Sequence, residues 1–289
     1  MAAYLDPHQL PPLLQNVVRL CLWLVLLAVA FMPLERLFAV HPQKYFRKGL
    51  ARELGYFFIN GLVPGLLLAS PLALIAWGAH GVMPLRFQVA IAQWPLWQRI
   101  VVGFVIGEIG FYWGHRWAHE IPFLWRFHSV HHSPEGVYFL ISSYAHPLDN
   151  AFVRLCGLIP AVLLGVASPL APDGTLVPVT IVLVATAWGF FIHANLRWRF
   201  GPLEWLITTP AFHHWHHTSG VLHDRNYASM LPLMDMIFGT YHLPRKKWPP
   251  SYGIDSPMPQ SLGGQLLYPF VPTASSGAAA LSGGSARAR

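Results

Sequence analysis

The stretch Gly107–His132, GEIGFYWGHRWAHEIPFLWRFHSVHH, decides how the chain is read. Its first half is apolar enough to continue a membrane helix. Its second half holds a His-x-x-x-His pair, His115 and His119, and a His-x-x-His-His triplet, His128, His131 and His132. The same triplet recurs as His213, His216 and His217 in TPAFHHWHH, Thr209–His217. With 16 histidines in 289 residues, one such triplet is expected by chance about 0.05 times. On a helix, residues three and four apart lie one turn from each other on a shared face, so each cluster can offer several imidazoles to one point and each triplet is expected to serve one ion. Imidazole binds iron, zinc, copper and nickel well, and eight or more of them are too many for one ion and a natural number for two.

The chain is 54% hydrophobic and 11% charged, with a mean hydropathy of +0.42, which is the composition of a membrane protein. The run Val17–Leu34 carries one charge, Arg19, and is long enough for a first span. It is followed by Glu35 and Arg36 rather than a small-residue cleavage site, so it reads as a retained helix and not a signal peptide. Cys21 and Cys156 both lie in apolar stretches far apart in sequence, which argues against a disulfide framework or a thiolate metal site. A net charge of +7 would elsewhere raise nucleic-acid binding. Here the cations Arg36, Lys44, Arg47, Lys48 and Arg52 gather in the loop after the first span, which marks that loop as cytoplasmic and nucleic acid as a poor partner.

A second apolar stretch, Tyr56–Ala79, is interrupted by Pro64 and Pro71, which imply kinks, and a third, Ile100–Trp113, leads into the histidines. The link His80–Gln98 has only Arg86 as a cation, as an outside loop should. Two more apolar stretches, Ala151–Leu170 and Thr175–Ile192, joined through Ala171–Gly174, form a crossing hairpin or a re-entrant pair. Either way the chain returns to the face it left, so His213–His217 can meet His115–His132. The expected fold is all-α: a polytopic membrane protein with about four to five embedded helices and a cytoplasmic, histidine-rich helical cap, the N-terminus outside. Three parts are expected: residues 1–101, the N-terminal membrane helices and basic loop; residues 102–245, the catalytic region; and residues 246–289, an extension whose Ala-, Gly- and Ser-rich end from about Thr273 is disordered. The histidine pair is expected just past the end of a span, and Pro122 implies two short helices meeting at a bend.

Taken together, HRWAH, LWRFHSVHHS, AHPLD, HANL, TPAFHHWHH, DRNYAS and LMDMIFGTY, spread over roughly Val102–Tyr241, make the chain resemble the fatty acid hydroxylase superfamily. The likeness is closest to its sterol desaturase-like bacterial members, which are integral membrane di-metal oxygenases. The resemblance implies metal ligands at His115, His119, His128, His131, His132, His213, His216 and His217, with His193 as a ninth and His146 as a tenth or a supporting residue. It implies two irons, for which zinc can substitute, and a reaction in which O2 and two electrons from a separate donor hydroxylate or desaturate a lipid: a sterol, a fatty-acyl chain or a relative. Breaking an alkyl C–H bond needs high-valent metal chemistry that side chains alone do not supply. The sequence has no dinucleotide, haem-attachment or iron–sulfur motif, so a ferredoxin or cytochrome is expected to bring the electrons. The cations Arg245, Lys246 and Lys247 either dock that donor or only fix the topology.

Several polar residues around the clusters are expected to support the ligands. Glu108, seven residues before His115 in an apolar span, is placed to hold a ligand imidazole, or else is a helix-paired acid. Asp149, Asp224 and Asp235 are further candidates, and Asn195 could approach the metal through water. His214 lies off the face of its triplet and is expected to support rather than ligate. His8, His41, His80 and His242 fit no cluster and read as surface residues, while His223 bonds locally. Trp94, Trp97, Trp113 and Trp117 read as interfacial anchors. Rival readings are a histidine-rich membrane metal transporter, which would place ligands near the middle of spans, and within the superfamily a carotenoid hydroxylase or an aldehyde-processing enzyme.

Overall fold

A computed structural model describes residues 10–167 and 176–271 of the chain. His8, the link Ala171–Gly174 and the tail from Thr273 lie outside the described residues. Among the described residues every regular element is a helix: α1 (Pro12–Phe38), α2 (Leu50–Val82), α3 (Leu85–Ala92), α4 (Leu96–Glu120), α5 (Pro122–His132), α6 (Pro147–Leu163), α7 (Leu176–His193), α8 (Pro210–His216), α9 (Leu233–Ile237) and α10 (Leu262–Leu267).

Three helices, α1, α2 and α7, are long and apolar enough to cross a membrane. A fourth crossing exists if α3 and α4, bent by 114° at the break between them, count as one span. The expectation of four to five embedded helices is met at its lower edge, because α6, with 17 residues and Pro160 inside it, is short for a span. α6 instead packs between α4 and α2. Outward-facing Val29, Leu66, Leu74 and Trp77 are 68–79% exposed, an apolar surface that lipid would cover. Trp94, Trp97 and Trp117 are exposed too, as interfacial anchors would be, whereas Trp113 packs edge-on against Phe238.

Two local expectations change. The link His80–Gln98 is not a plain loop, since Leu85–Ala92 forms α3. The pair His115 and His119 does not follow the span but occupies the last turns of α4 itself, which runs unbroken from Leu96 to Glu120. Pro64 and Pro71 lie inside α2 without ending it, as expected. The expected bend is found: α4 stops at Glu120, Ile121 is extended, and Pro122 opens α5 at its first position, where its missing N–H costs nothing.

α4 and α6 approach closely because glycine faces glycine. A Cβ on Gly110 would strike the carbonyl of Cys156, and Gly107 faces Gly157. Cys156 and Cys21 are free thiols. A core of Leu27, Tyr56, Phe57, Phe139, Ile141, Tyr144, Phe190 and Leu196 fills the space between α1, α2, α7 and the short 3-10 turn Phe139–Ser143, beneath the histidines. At its rim Glu35, near the end of α1, accepts hydrogen bonds from the N–H groups of Phe139 and Asn195, pinning the segments that follow α5 and α7.

Candidate metal centre

Each histidine is delivered by a helix end. α4 brings His115 and His119 on one face, α5 brings His128, His131 and His132, and α7 ends on His193. α8 starts at Pro210 with the Thr209 side chain accepting from the Phe212 N–H, and it carries His213 and His216, with His217 at its C-terminal boundary.

These nine side chains are buried and fall into two groups. One holds His115, His119, His128, His132 and His216; the other holds His131, His193, His213 and His217. Within each, one ring nitrogen per residue lies within 4.8 Å of the others. The triplets are therefore split, contrary to the expectation of one ion each. The reason is helical geometry: at about 100° per residue, positions i and i+4 nearly eclipse, while i+3 and i+4 point 100° apart. His128 and His132 thus join one group and His131 the other, while His213 and His217 join the second and His216 the first. The two groups touch, with the rings of His132 and His217 stacked at 4.5 Å between centroids.

The hydrogen bonds show what the rings are prepared to do. A carbonyl oxygen only accepts, so Nδ1 carries the hydrogen in His115, which donates to Tyr227 (2.7 Å), His131 to Tyr144 (2.9 Å), His193 to Gly189 (2.7 Å) and His216 to Arg225 (2.8 Å). His128 donates in the same way to the Asp149 carboxylate at 2.9 Å. Every one of these rings then presents a bare Nε2. Yet the Nε2 atoms of His115 and His128 stand 3.1 Å apart, those of His131 and His193 3.3 Å. Two lone pairs at that distance make no hydrogen bond and repel. Among the described residues, Nε2 of His119, His132 and His216 has no hydrogen-bond partner, although it is buried. A cation at the middle of each group would turn this repulsion into coordination, so the residues fit a metal. Burial first, and neighbouring imidazoles second, hold His132, His213, His216 and His217 well below the usual histidine range and His131 down to about 4.

Around the rings, Asp149 bonds His128 as expected, and Asp224 lies 3.2 Å from His119 Nδ1 and 3.3 Å from His223 Nε2. Glu108 does not hold an imidazole. Its carboxylate accepts from the N–H groups of Met230 and Leu231, because the chain after α8 folds back across α4 and offers unpaired amides there. Asn195 does not face the histidines either: its amide clamps the backbone of Val40 and His41. Asp235 acts at one remove, accepting from the N–H groups of Tyr227 and Ala228 and from Thr240 Oγ1, which fixes the segment whose Tyr227 carbonyl holds His115.

His146 stands apart from both groups. It caps α6 by accepting from the Leu148 N–H, and its other nitrogen meets the Leu266 carbonyl. His214 lies outside both groups as well, its ring held between Tyr252 Oη (2.8 Å) and the carbonyl of Ala194 (3.0 Å). His41 and His242 are not free surface residues, since His41 meets the Pro249 carbonyl and His242 packs edge-on against Trp215. His223 does bond locally, to Gly220, and also stacks on Trp125. Sequence reading passed over Glu35, which looked like the end of a span, and the four carbonyls, which no side-chain pattern reveals.

A cavity of about 440 Å³ runs from the histidines down between α1, α2, α4, α6 and α7. His115, His128, His131, His193 and His213 line one end, and Leu20, Trp23, Phe104 and Ile181 are among the apolar side chains along it.

A buried, all-histidine, two-group centre at the end of apolar helices is the mark of membrane metal-dependent oxidoreductases. Residues 100–240 match the fatty acid hydroxylase family, and this region of the chain belongs to that superfamily. The chain is 35% identical over 179 residues to an ornithine lipid hydroxylase of Rhizobium tropici, covering 62% of this chain and 52% of the relative. It is 33% identical over 151 residues to an alkylglycerol monooxygenase of Danio rerio, 52% of this chain and 31% of the relative. It is 30% identical over 173 residues to a methylsterol monooxygenase of Arabidopsis thaliana, 59% of this chain and 62% of the relative. The chain thus matches about half the length of the first of these curated relatives. No solved structure matches it.

Proposed function

We infer that the protein is a membrane lipid hydroxylase whose two histidine groups each hold one metal ion, iron in the active state. The observation that carries this reading is the set of bare Nε2 atoms facing one another at 3.1–3.3 Å while the opposite ring nitrogens donate to fixed acceptors. The five-residue group would be held by His115, His119, His128, His132 and His216, and the other by His131, His193, His213 and His217. The bound pair supplies the O2-activating redox chemistry. The chain's residues do the rest: Asp149, Asp224 and the four backbone carbonyls aim the rings, and the apolar cavity admits an alkyl chain and excludes water. One oxygen atom of O2 enters a C–H bond and the other leaves as water, with two electrons from a ferredoxin- or cytochrome-type donor and two protons from solvent.

The loop after α1, with Lys44, Arg47 and Lys48, reaches the histidine end, where the Arg197 N–H bonds the Phe38 carbonyl. The positive-inside rule then puts the centre on the cytoplasmic side, within reach of such a donor. We assign residues 102–245 to the catalytic region and residues 1–101 to membrane anchoring. A metal transporter would need ligands along a path through the bundle, whereas all nine sit at one end of it.

The test is the lipid extract of cells with and without the gene, grown under 18O2. A lipid heavier by one labelled oxygen, absent from cells carrying His216→Ala, is the expected result. Product lipids without label, or no changed lipid, would overturn the reading.

A further inference from the structure

Two charged side chains that line the cavity have no part in the metal centre: Glu108, committed to the amides of Met230 and Leu231, and Arg154. Arg154 sits in the middle of α6 and lines the cavity with Asn150 and Asn60. Among the described residues no carboxylate pairs with it. The nearest one along α6, Asp149, is committed to His128. Cations are costly at such depth and persist where they serve a ligand.

The polar groups around Arg154 are arranged to present it rather than to neutralise it. Asn60 spends its N–H2 on the carbonyls of Ser143 and Ala145, and its oxygen accepts from Asn150 at 2.9 Å. That leaves the Asn150 oxygen to accept from Arg154 Nε at 2.7 Å. The relay fixes one edge of the guanidinium, and Thr186 Oγ1 stands 3.5 Å from Nη2. Two neutral acceptors, Asn150 Oδ1 and Thr186 Oγ1, hold the fork, and among the described residues its remaining N–H groups meet no protein anion. A planar fork held in this way suits an oxyanion. Arg154 lies five residues beyond Asp149 on α6, and Thr186 lies seven before His193 on α7. On each helix that is about one to two turns along the cavity from its histidine end.

We propose that Arg154 anchors an oxyanion of the lipid substrate, a carboxylate or phosphate, within the cavity that the histidines also line. This rests on the lipid hydroxylase reading and narrows it: the substrate is an acidic lipid, and Arg154 is a specificity-determining residue that sets which carbon reaches the metals. A neutral lipid of the same length would leave the guanidinium without its counter-charge in an apolar cavity.

The test is binding without turnover, so that it stands apart from the outcome for the hydroxylase reading. The iron-loaded full chain in maltoside micelles is titrated with dodecanoate, dodecyl phosphate and dodecanol, and affinity is read from the ligand-induced rise in Tm. The wild type should hold at least one of the two anions about 10- to 100-fold more tightly than the alcohol, and the preferred anion identifies the headgroup chemistry. Arg154→Gln should bring that ratio to about one while leaving dodecanol binding and bound iron unchanged. Arg154→Lys, which keeps the charge without the fork and serves if the Gln variant does not fold, should retain a reduced preference. Equal binding of all three probes by the wild type, or an undiminished preference in Arg154→Gln, would overturn the proposal.

Discussion

At the scale of single residues, the split of the triplets makes neighbours differ. His131 belongs to a four-residue group, and its loss leaves three ligands; His132 belongs to a group of five, and its loss leaves four. His131→Ala should therefore abolish product formation, while His132→Ala should leave a small residual rate, both normalised to inserted protein. Equal residual rates would count against the grouping. Asp149→Asn keeps the shape but weakens the acceptor for His128 Nδ1, and activity should fall about 10- to 100-fold with the protein still inserted. His146→Ala removes the cap of α6 and the bond to the Leu266 carbonyl, costing about 2 kcal/mol of stability while the metal content stays intact.

His214 gives a pH dependence. Burial pulls it from 6.5 down to about 3, so as the pH falls below 6.5 the unfolded chain takes up a proton that the folded chain refuses. Its share of stability, whole above pH 6.5, is lost progressively between there and about 3. Thermal midpoints should fall across that window, and less steeply in His214→Gln.

At the scale of elements, the sequence was most legible where chemistry and periodicity coincide. The stretch from His115 to His132 announces its helices, its bend at Pro122 and its clustered imidazoles, because Pro and the i, i+4 spacing act locally. Glu108 and Asn195 were misread because their partners, the amides of Met230 and Leu231 and the loop at Val40, are brought in by tertiary folding that no local pattern encodes. The grouping of the rings was hidden for a different reason. Spacing shows which residues share a helix face but not which metal that face meets, and it required α5 and α8 to be placed against each other. The close contact of α4 with α6 offers a test of how helix placement sets the site. Gly110→Ala puts a methyl group against the Cys156 carbonyl and must push the helices apart, separating His115 on α4 from His128 and its Asp149 partner on α6. Overpacking of this kind should cost about 1–3 kcal/mol and lower bound metal together with Tm. A variant with native stability and full metal content would show that the spacing is not set there.

At the scale of the whole molecule, the composition already separated a membrane protein from a soluble one. The cavity beside the histidines could not be read from the sequence, since five helices contribute to it from across the chain. On the proposed function, oxidising chemistry would sit at one end of that apolar slot. All of this depends on two adjacent ions rather than one. Elemental analysis of the full chain, purified without oxygen and loaded with iron, tests that claim most directly: nine imidazoles in groups of five and four call for two irons per chain, and one tightly held iron per chain would contradict it.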